Sequence, residues 1–210
     1  MSQTALNPPR PSVWNVPNLV TIARVLLALV LFVLMARSEF TAALGVFLVA
    51  AGTDWVDGYW ARKYGQVTQL GRILDPFADK LIVCGTFIYL AAGPQLDGGM
   101  PASGVAAWVA VLIMAREMIV TALRSFVESR GGDFSAKTVG KWKMVFQCAA
   151  AAFGIGKLQY YDAATHSLEA SLPTWIEYGQ AGTLWIAIIL TIWSGIGYML
   201  AAGKMVRDAD

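Results

Sequence analysis

Six apolar runs, each close to the roughly 20 residues a helix needs to cross a bilayer, dominate this sequence. They fall at about 17–37, 40–62, 75–93, 104–125, 139–160 and 181–203. The stretches between them (Arg37–Phe40, Lys63–Gly71, Gly93–Ser103, Glu128–Thr138 and Tyr161–Gln180) are short and polar or carry Gly and Pro, and no soluble domain fits in any of them. Charged residues make up only 14% of the chain and hydrophobic residues 57%, whereas an ordinary soluble domain is about 25% charged. The expectation is one all-α integral membrane domain over residues 1–210, with six transmembrane helices and a cytoplasmic leader at 1–16. The last connection is long, and a short interfacial helix around Trp175 is expected within it.

Charge sets the orientation. Arg10, Arg62, Lys63, Arg72, Arg124, Arg130, Lys137, Lys141, Lys143, Lys204 and Arg207 fall on one side. The other side offers Arg37 and Lys157 against Glu39, Asp97, Asp162, Glu169 and Glu177. The Lys/Arg-rich side is expected to be cytoplasmic, with both termini there, and Trp14 and Trp175 are candidate interfacial anchors. A net charge of +2 gives no electrostatic case for a nucleic-acid partner. A single histidine, His166, argues against zinc chemistry, and Cys84 and Cys148 lie in apolar runs that favour inert thiols over a disulfide framework.

Against this background four carboxylates stand out. Asp54 and Asp57 lie near the cytoplasmic end of the second run, and Asp75 and Asp79 open the third. The full pattern is D-x-x-D-G-x-x-A-R, eight residues, then G-x-x-x-D-x-x-x-D. On helices, Asp54, Asp57, Gly58 and Ala61 share a face, and Gly71, Asp75 and Asp79 form a stripe at i+4 steps of about 6 Å. A short connection lets the two helices pack antiparallel and brings the acids together in a polar cavity that faces the cytoplasm. Small Gly58 and Ala61 leave room for another backbone or a ligand. Ionised groups in an apolar setting cost several kcal/mol each unless neutralised. Oxygen-only ligands select a hard ion, Mg²⁺ or Mn²⁺, and two such ions balance four charges. Two other readings stay open on the residues alone. The acids pair with Arg24, Lys80 and Arg116 to hold a bundle together, or they line a cation or proton pathway in a metal-coupled transporter or channel.

The segment Asp54-Trp-Val-Asp57-Gly58-Tyr-Trp-Ala61-Arg62, continuing through Gly71, Asp75 and Asp79, resembles the CDP-alcohol phosphotransferase signature at all eight fixed positions. The resemblance implies a six-span membrane enzyme that tends to be homodimeric. It also implies that Asp54, Asp57 and Asp75 ligate metal, and that Asp79 contributes to the metal site and acts as general base. Arg62 would contact the diphosphate of a CDP-linked donor, with Arg72 beside it, while Gly58, Ala61 and Gly71 make room for the cytidine and its phosphates. Asn18, Thr21 and Arg24 resemble the family's first-span pattern and join the expected donor site.

A second basic cluster bears on the acceptor. The fourth run carries Arg116-Glu117-Met-Ile-Val-Thr121-Ala-Leu-Arg124, and the fifth opens Gly140-Lys141-Trp-Lys143. Cations in this number suit a phosphorylated acceptor and would be wasted on serine or choline. Both segments resemble the branch of the family that phosphatidylates glycerol 3-phosphate, with Met144 where many members carry Thr. The expected reaction joins CDP-diacylglycerol and glycerol 3-phosphate to give phosphatidylglycerophosphate and CMP. Arg116, Thr121, Arg124, Lys141 and Lys143 would then face the acceptor phosphate. Inositol phosphate is the rival acceptor.

Overall fold

The computed structural model of the chain describes residues 16–64, 69–129 and 138–207, without the side chains of 16–18, 54–64, 69–76, 79, 128–129, 138–139, 202 and 204–206. Trp14 and the expected leader up to residue 15 lie outside the described residues. Among those residues the chain forms six helices: α1 (Val16–Ala36), α2 (Phe40–Tyr64), α3 (Gln69–Ala92), α4 (Ala107–Ser129), α5 (Thr138–Leu158) and α6 (Thr174–Arg207). A small antiparallel hairpin, β1 (Tyr161–Asp162) and β2 (Ser167–Leu168), pairs Tyr161 with Leu168.

α1 stops because Ser38 takes a left-handed backbone (φ 59°). Its N–H then bonds the Met35 carbonyl (3.1 Å), and the N–H of Glu39 bonds that of Leu34 (2.9 Å). This pair of bonds satisfies the last carbonyls of the helix and turns the chain straight into α2. α3 begins at Gln69, well ahead of the apolar run at 75, because the polar segment before it is helical too. Hydropathy reports where lipid begins, not where a helix does. The short interfacial helix expected around Trp175 is not a separate element. Trp175 lies in the first turn of α6, which runs 34 residues without a break, or about 50 Å at 1.5 Å per residue.

Consecutive helices alternate in direction, so the α3–α4 and α5–α6 connections meet at one end of the bundle. The N–H of Asp97 bonds the carbonyl of His166 (3.0 Å), and the Tyr161 hydroxyl donates to the Gln95 carbonyl (3.2 Å). Ser103 donates to the Leu90 carbonyl at the end of α3 (2.6 Å) and accepts from the N–H of Val105 (3.1 Å), tying α3 to the approach to α4. Asp162 closes the hairpin turn by accepting from the Ala164 N–H (2.9 Å) and the Thr165 hydroxyl (2.8 Å). Those two bonds hold its carboxyl below the usual carboxylate range. The acid-bearing ends of α2 and α3 lie at the opposite end, with the start of α1 and the end of α6.

The bundle interior is built from small and aromatic side chains. Ala28, Leu31, Ala43, Phe47, Ala50, Phe87, Leu90, Ile113, Ala150 and Ile155 are all fully buried. Gly85 of α3 is needed where Phe32 of α1 crosses it, since a Cβ there would lie 2.1 Å from the Phe32 Cζ. The exterior is apolar as well: Leu26, Leu48, Val49, Val111, Met118, Val145, Trp193 and Leu200 are exposed, while Thr86, Gln147, Thr191 and Ser194 are buried. A fold that hides hydroxyls and amides and shows aliphatic side chains is suited to lipid as its solvent. Among the described residues, Leu19–Ala36 and Thr174–Ala201 are long and apolar enough to cross a membrane, and Phe40–Thr53 and Lys80–Ala92 are shorter apolar helices. In α2 and α3 the charged motif itself cuts the apolar stretch short.

Candidate active site

α2 is unbroken through positions 54–64 and α3 through positions 69–79, and only residues 65–68 separate the two helices. The helical spacing of Asp54 with Asp57, and of Asp75 with Asp79, is therefore carried by continuous helix. The side chains of these four aspartates lie outside the described ones, as do those of Asn18, Gly58, Ala61, Arg62, Gly71 and Arg72. α2 and α3 touch each other, and both also pack on α5. A donor set of four carboxylates, without a thiol or imidazole, fits a hard divalent cation such as Mg²⁺ or Mn²⁺.

On α1, Thr21 and Arg24 are both buried, one turn apart on the same helix face. α1 packs on α2 and on α3, so this guanidinium lies inside the bundle near the end that carries the aspartates. The donor-side expectation for Thr21 and Arg24 thus falls on interior positions.

The second basic cluster resolves into a linked network. Arg116 donates through Nη1 to Glu117 Oε1 (3.1 Å) and through Nη2 to Ser194 Oγ on α6 (2.9 Å). Its guanidinium carbon sits 5.7 Å from the centre of the Tyr198 ring, within cation–π range. Lys143 of α5 donates to the same Glu117 oxygen. Arg116 and Lys143 keep 9% and 6% of their side chains exposed. Beneath them, Gln147 donates to Thr191 Oγ1 (3.1 Å) and Ser194 to the Thr191 carbonyl (3.2 Å). α4, α5 and α6 are thus joined by polar contacts inside an apolar bundle. Gly195 lies alongside, where a Cβ would be 3.4 Å from the Arg116 Cγ.

Other members of the expected acceptor set occupy different positions. Lys141 is exposed, and at two residues from Lys143 it projects from the opposite side of α5. Arg124 is half-buried. The Nε atoms of Arg116 and Arg124 are both buried without a hydrogen-bond partner among the described residues. Buried donors of this kind fit an anionic oxygen. The Thr121 hydroxyl donates to the Glu117 carbonyl (2.7 Å), so its proton is used within α4. Cys84 of α3 feels the charges of Glu117 and Lys143. It lies five positions on from Asp79, about 7.5 Å along the helix, so the network borders the helix that carries two of the acids.

The sequence profile of the CDP-alcohol phosphatidyltransferases matches residues 14–193, from the start of α1 into α6. The chain belongs to the CDP-alcohol phosphatidyltransferase family. This phosphatidyltransferase is similar over 93% of its length to proteins named CDP-diacylglycerol–glycerol-3-phosphate 3-phosphatidyltransferase. The one from Escherichia coli K12 is 32% identical over 204 residues, covering 93% of this chain and 98% of the relative. Those of Escherichia coli O157:H7 and Shigella flexneri serotype 5b show the same identity and coverage. The family and the apolar exterior together make this a membrane protein.

Five residues of the network are not expected from sequence: Glu117 reads only as a neighbour of Arg116, and Gln147, Thr191, Ser194 and Tyr198 carry no assigned role. For the last three the signal was present as a polar stripe, Thr191, Ser194 and Tyr198, at helical spacing in an otherwise apolar helix. Hydropathy alone passes over such a stripe. Arg116, an expected partner for the aspartates if they only hold the bundle together, sends both Nη atoms to Glu117 and Ser194 instead.

Proposed function

We propose that this phosphatidyltransferase moves the phosphatidyl group of CDP-diacylglycerol to the 1-hydroxyl of glycerol 3-phosphate, releasing CMP and forming phosphatidylglycerophosphate. The observation that carries the reading is the full-length similarity to enzymes of that name, 93% of this chain against 98% of theirs. The eight-position acid motif on continuous α2 and α3 supports it.

In this reading all six helices cross the bilayer. The α2 and α3 acids open toward the cytoplasm and the lipid tails stay in the membrane. The functional unit is a homodimer, as the family resemblance implies. Asp54, Asp57, Asp75 and Asp79 would hold two Mg²⁺ or Mn²⁺ ions, whose chemistry when bound is to offset the charge of the donor diphosphate. Arg24, Arg62 and Arg72, with Asn18 and Thr21, position the nucleotide, and Gly58, Ala61 and Gly71 leave room for it. Asp79 takes the proton from the acceptor hydroxyl, whose oxygen then bonds the phosphorus that carries the lipid. The phosphoanhydride P–O bond breaks and CMP leaves with its electrons. Arg116, Arg124 and Lys143, with Thr121 beside them, would face the acceptor phosphate, and Lys141, exposed on another side of α5, would draw it in from solvent by charge. Both guanidinium groups, Arg116 and Arg124, hold buried Nε atoms that no described residue satisfies.

The test is purified protein with CDP-diacylglycerol, Mg²⁺ and each acceptor in turn. CMP released with glycerol 3-phosphate, and not with serine or inositol phosphate, is the expected result. Release with inositol phosphate alone would reassign the acceptor, and no release with any acceptor would favour transport. Within this scheme, Lys141→Ala is expected to raise the apparent KM for glycerol 3-phosphate about five- to tenfold, roughly 1 kcal/mol. The KM for the CDP-lipid should stay within twofold. Because Lys141 is exposed, the fold should tolerate the change. A shift confined to the donor would mean the two pockets are reversed.

A further inference from the structure

We propose that Glu117 is a positioning residue for the acceptor phosphate. It would act through Lys143 and not by touching substrate, an inference that rests on the acceptor reading above.

The argument starts from one carboxylate oxygen. Glu117 Oε1 accepts from Arg116 within α4 and from Lys143 across on α5. A lysine ammonium rides on a stem of four carbons and three donors, and left alone it samples many rotamers. Anchoring one donor on Glu117 fixes the other two in direction. Ordering that side chain in advance removes an entropy cost from acceptor binding. Glu117 is itself held, because Arg116 is braced on its far side by Ser194 and the Tyr198 ring. The order of support runs from α6 through Arg116 to Glu117, and from Glu117 to Lys143.

Charge points the same way. Arg116 and Lys143 carry two positive charges and Glu117 one negative, so the trio keeps a net +1. A buried carboxylate beside a phosphate site looks counter-productive, since like charges repel. It is tolerable where its negative charge is already offset by two cations, and useful where it aims one of them. The Glu117 carboxylate is 15% exposed, so it is sheltered from bulk water and little screened.

A structural brace between α4 and α5 would make the same contacts, and a double-mutant cycle separates the two roles. Initial rates are measured over both substrates for the intact protein, Glu117→Gln, Lys143→Ala and the double variant. Glutamine keeps an acceptor oxygen and the side-chain volume, which favours folding. Thermal unfolding of each detergent-solubilised variant and its binding of CDP-diacylglycerol provide readings independent of turnover. Lys143→Ala is expected to raise the glycerol 3-phosphate KM about tenfold. Glu117→Gln should raise it about three- to fivefold, and the double variant no more than Lys143→Ala alone, with the CDP-lipid KM within twofold throughout. If Glu117→Gln and Lys143→Ala multiply, or if Glu117→Gln shifts donor and acceptor constants together, the positioning role is overturned. If Lys143→Ala leaves the acceptor KM unchanged, the acceptor site itself has been misplaced and this inference goes with it. Should Glu117→Gln fail to fold, Glu117→Asp replaces it in the cycle. That shorter carboxylate is expected to raise the acceptor KM less than Lys143→Ala does, and an equal shift in both KM values would again refute the role.

Discussion

Asp79→Asn is expected to give a folded protein that still binds CDP-diacylglycerol but turns over at least about a thousandfold more slowly. A positioned general base contributes about 10²–10⁴ in rate, and the amide, nearly isosteric with the carboxylate, cannot take up the proton. It remains a neutral oxygen donor, so donor binding should fall far less than turnover. The contrast with Asp54→Asn sharpens the result. Asp54 is assigned only to metal, so its loss should weaken donor binding and turnover together. CMP release and binding of a labelled CDP-lipid, measured on both variants, check the assignment. Comparable turnover in Asp79→Asn would remove the base role, and equal loss of donor binding in the two variants would make Asp79 a plain ligand.

The acid motif was legible because it sets expensive residues at helical intervals inside apolar sequence, and few arrangements other than a bound ligand justify that cost. The number and order of the helices were legible for a similar reason, since each run approaches the length of a membrane span. Their ends were less so. Ser38 ends α1 in a left-handed turn that glycine usually makes, and no glycine marks the place. The Tyr161–Leu168 hairpin rests on Asp162, Thr165 and Ser167 bonding one another and on the contact between Asp97 and His166. The first of these contacts are local but follow no helical or strand period, and the last joins residues far apart in sequence. Glu117 illustrates the same limit at the site. Adjacent to Arg116 in sequence, it reads as a simple neighbour; only the fold brings Lys143 to its other side.

Removing divalent metal is expected to bring turnover to background, with full recovery on adding Mg²⁺ or Mn²⁺ and at most partial recovery with Ca²⁺. The reason lies in the charge balance around α2 and α3. Four carboxylates need about four positive charges nearby if all are to stay ionised. Arg116 is turned toward Glu117 and Ser194. In the proposed scheme Arg24, Arg62 and Arg72 serve the donor phosphates, which leaves Lys80. Two divalent ions would supply the charge that side chains do not. Two-metal phosphoryl-transfer sites hold their ions about 3.5–4 Å apart. Mg²⁺ keeps oxygens at about 2.0–2.1 Å in near-octahedral geometry, while Ca²⁺ takes more of them at 2.3–2.6 Å. The larger ion should therefore occupy the acids without closing the geometry the donor needs. Rates followed across a metal titration after chelation should rise more steeply than a single site allows, as two ions filling together require. Undiminished turnover after exhaustive chelation would refute the metal assignment.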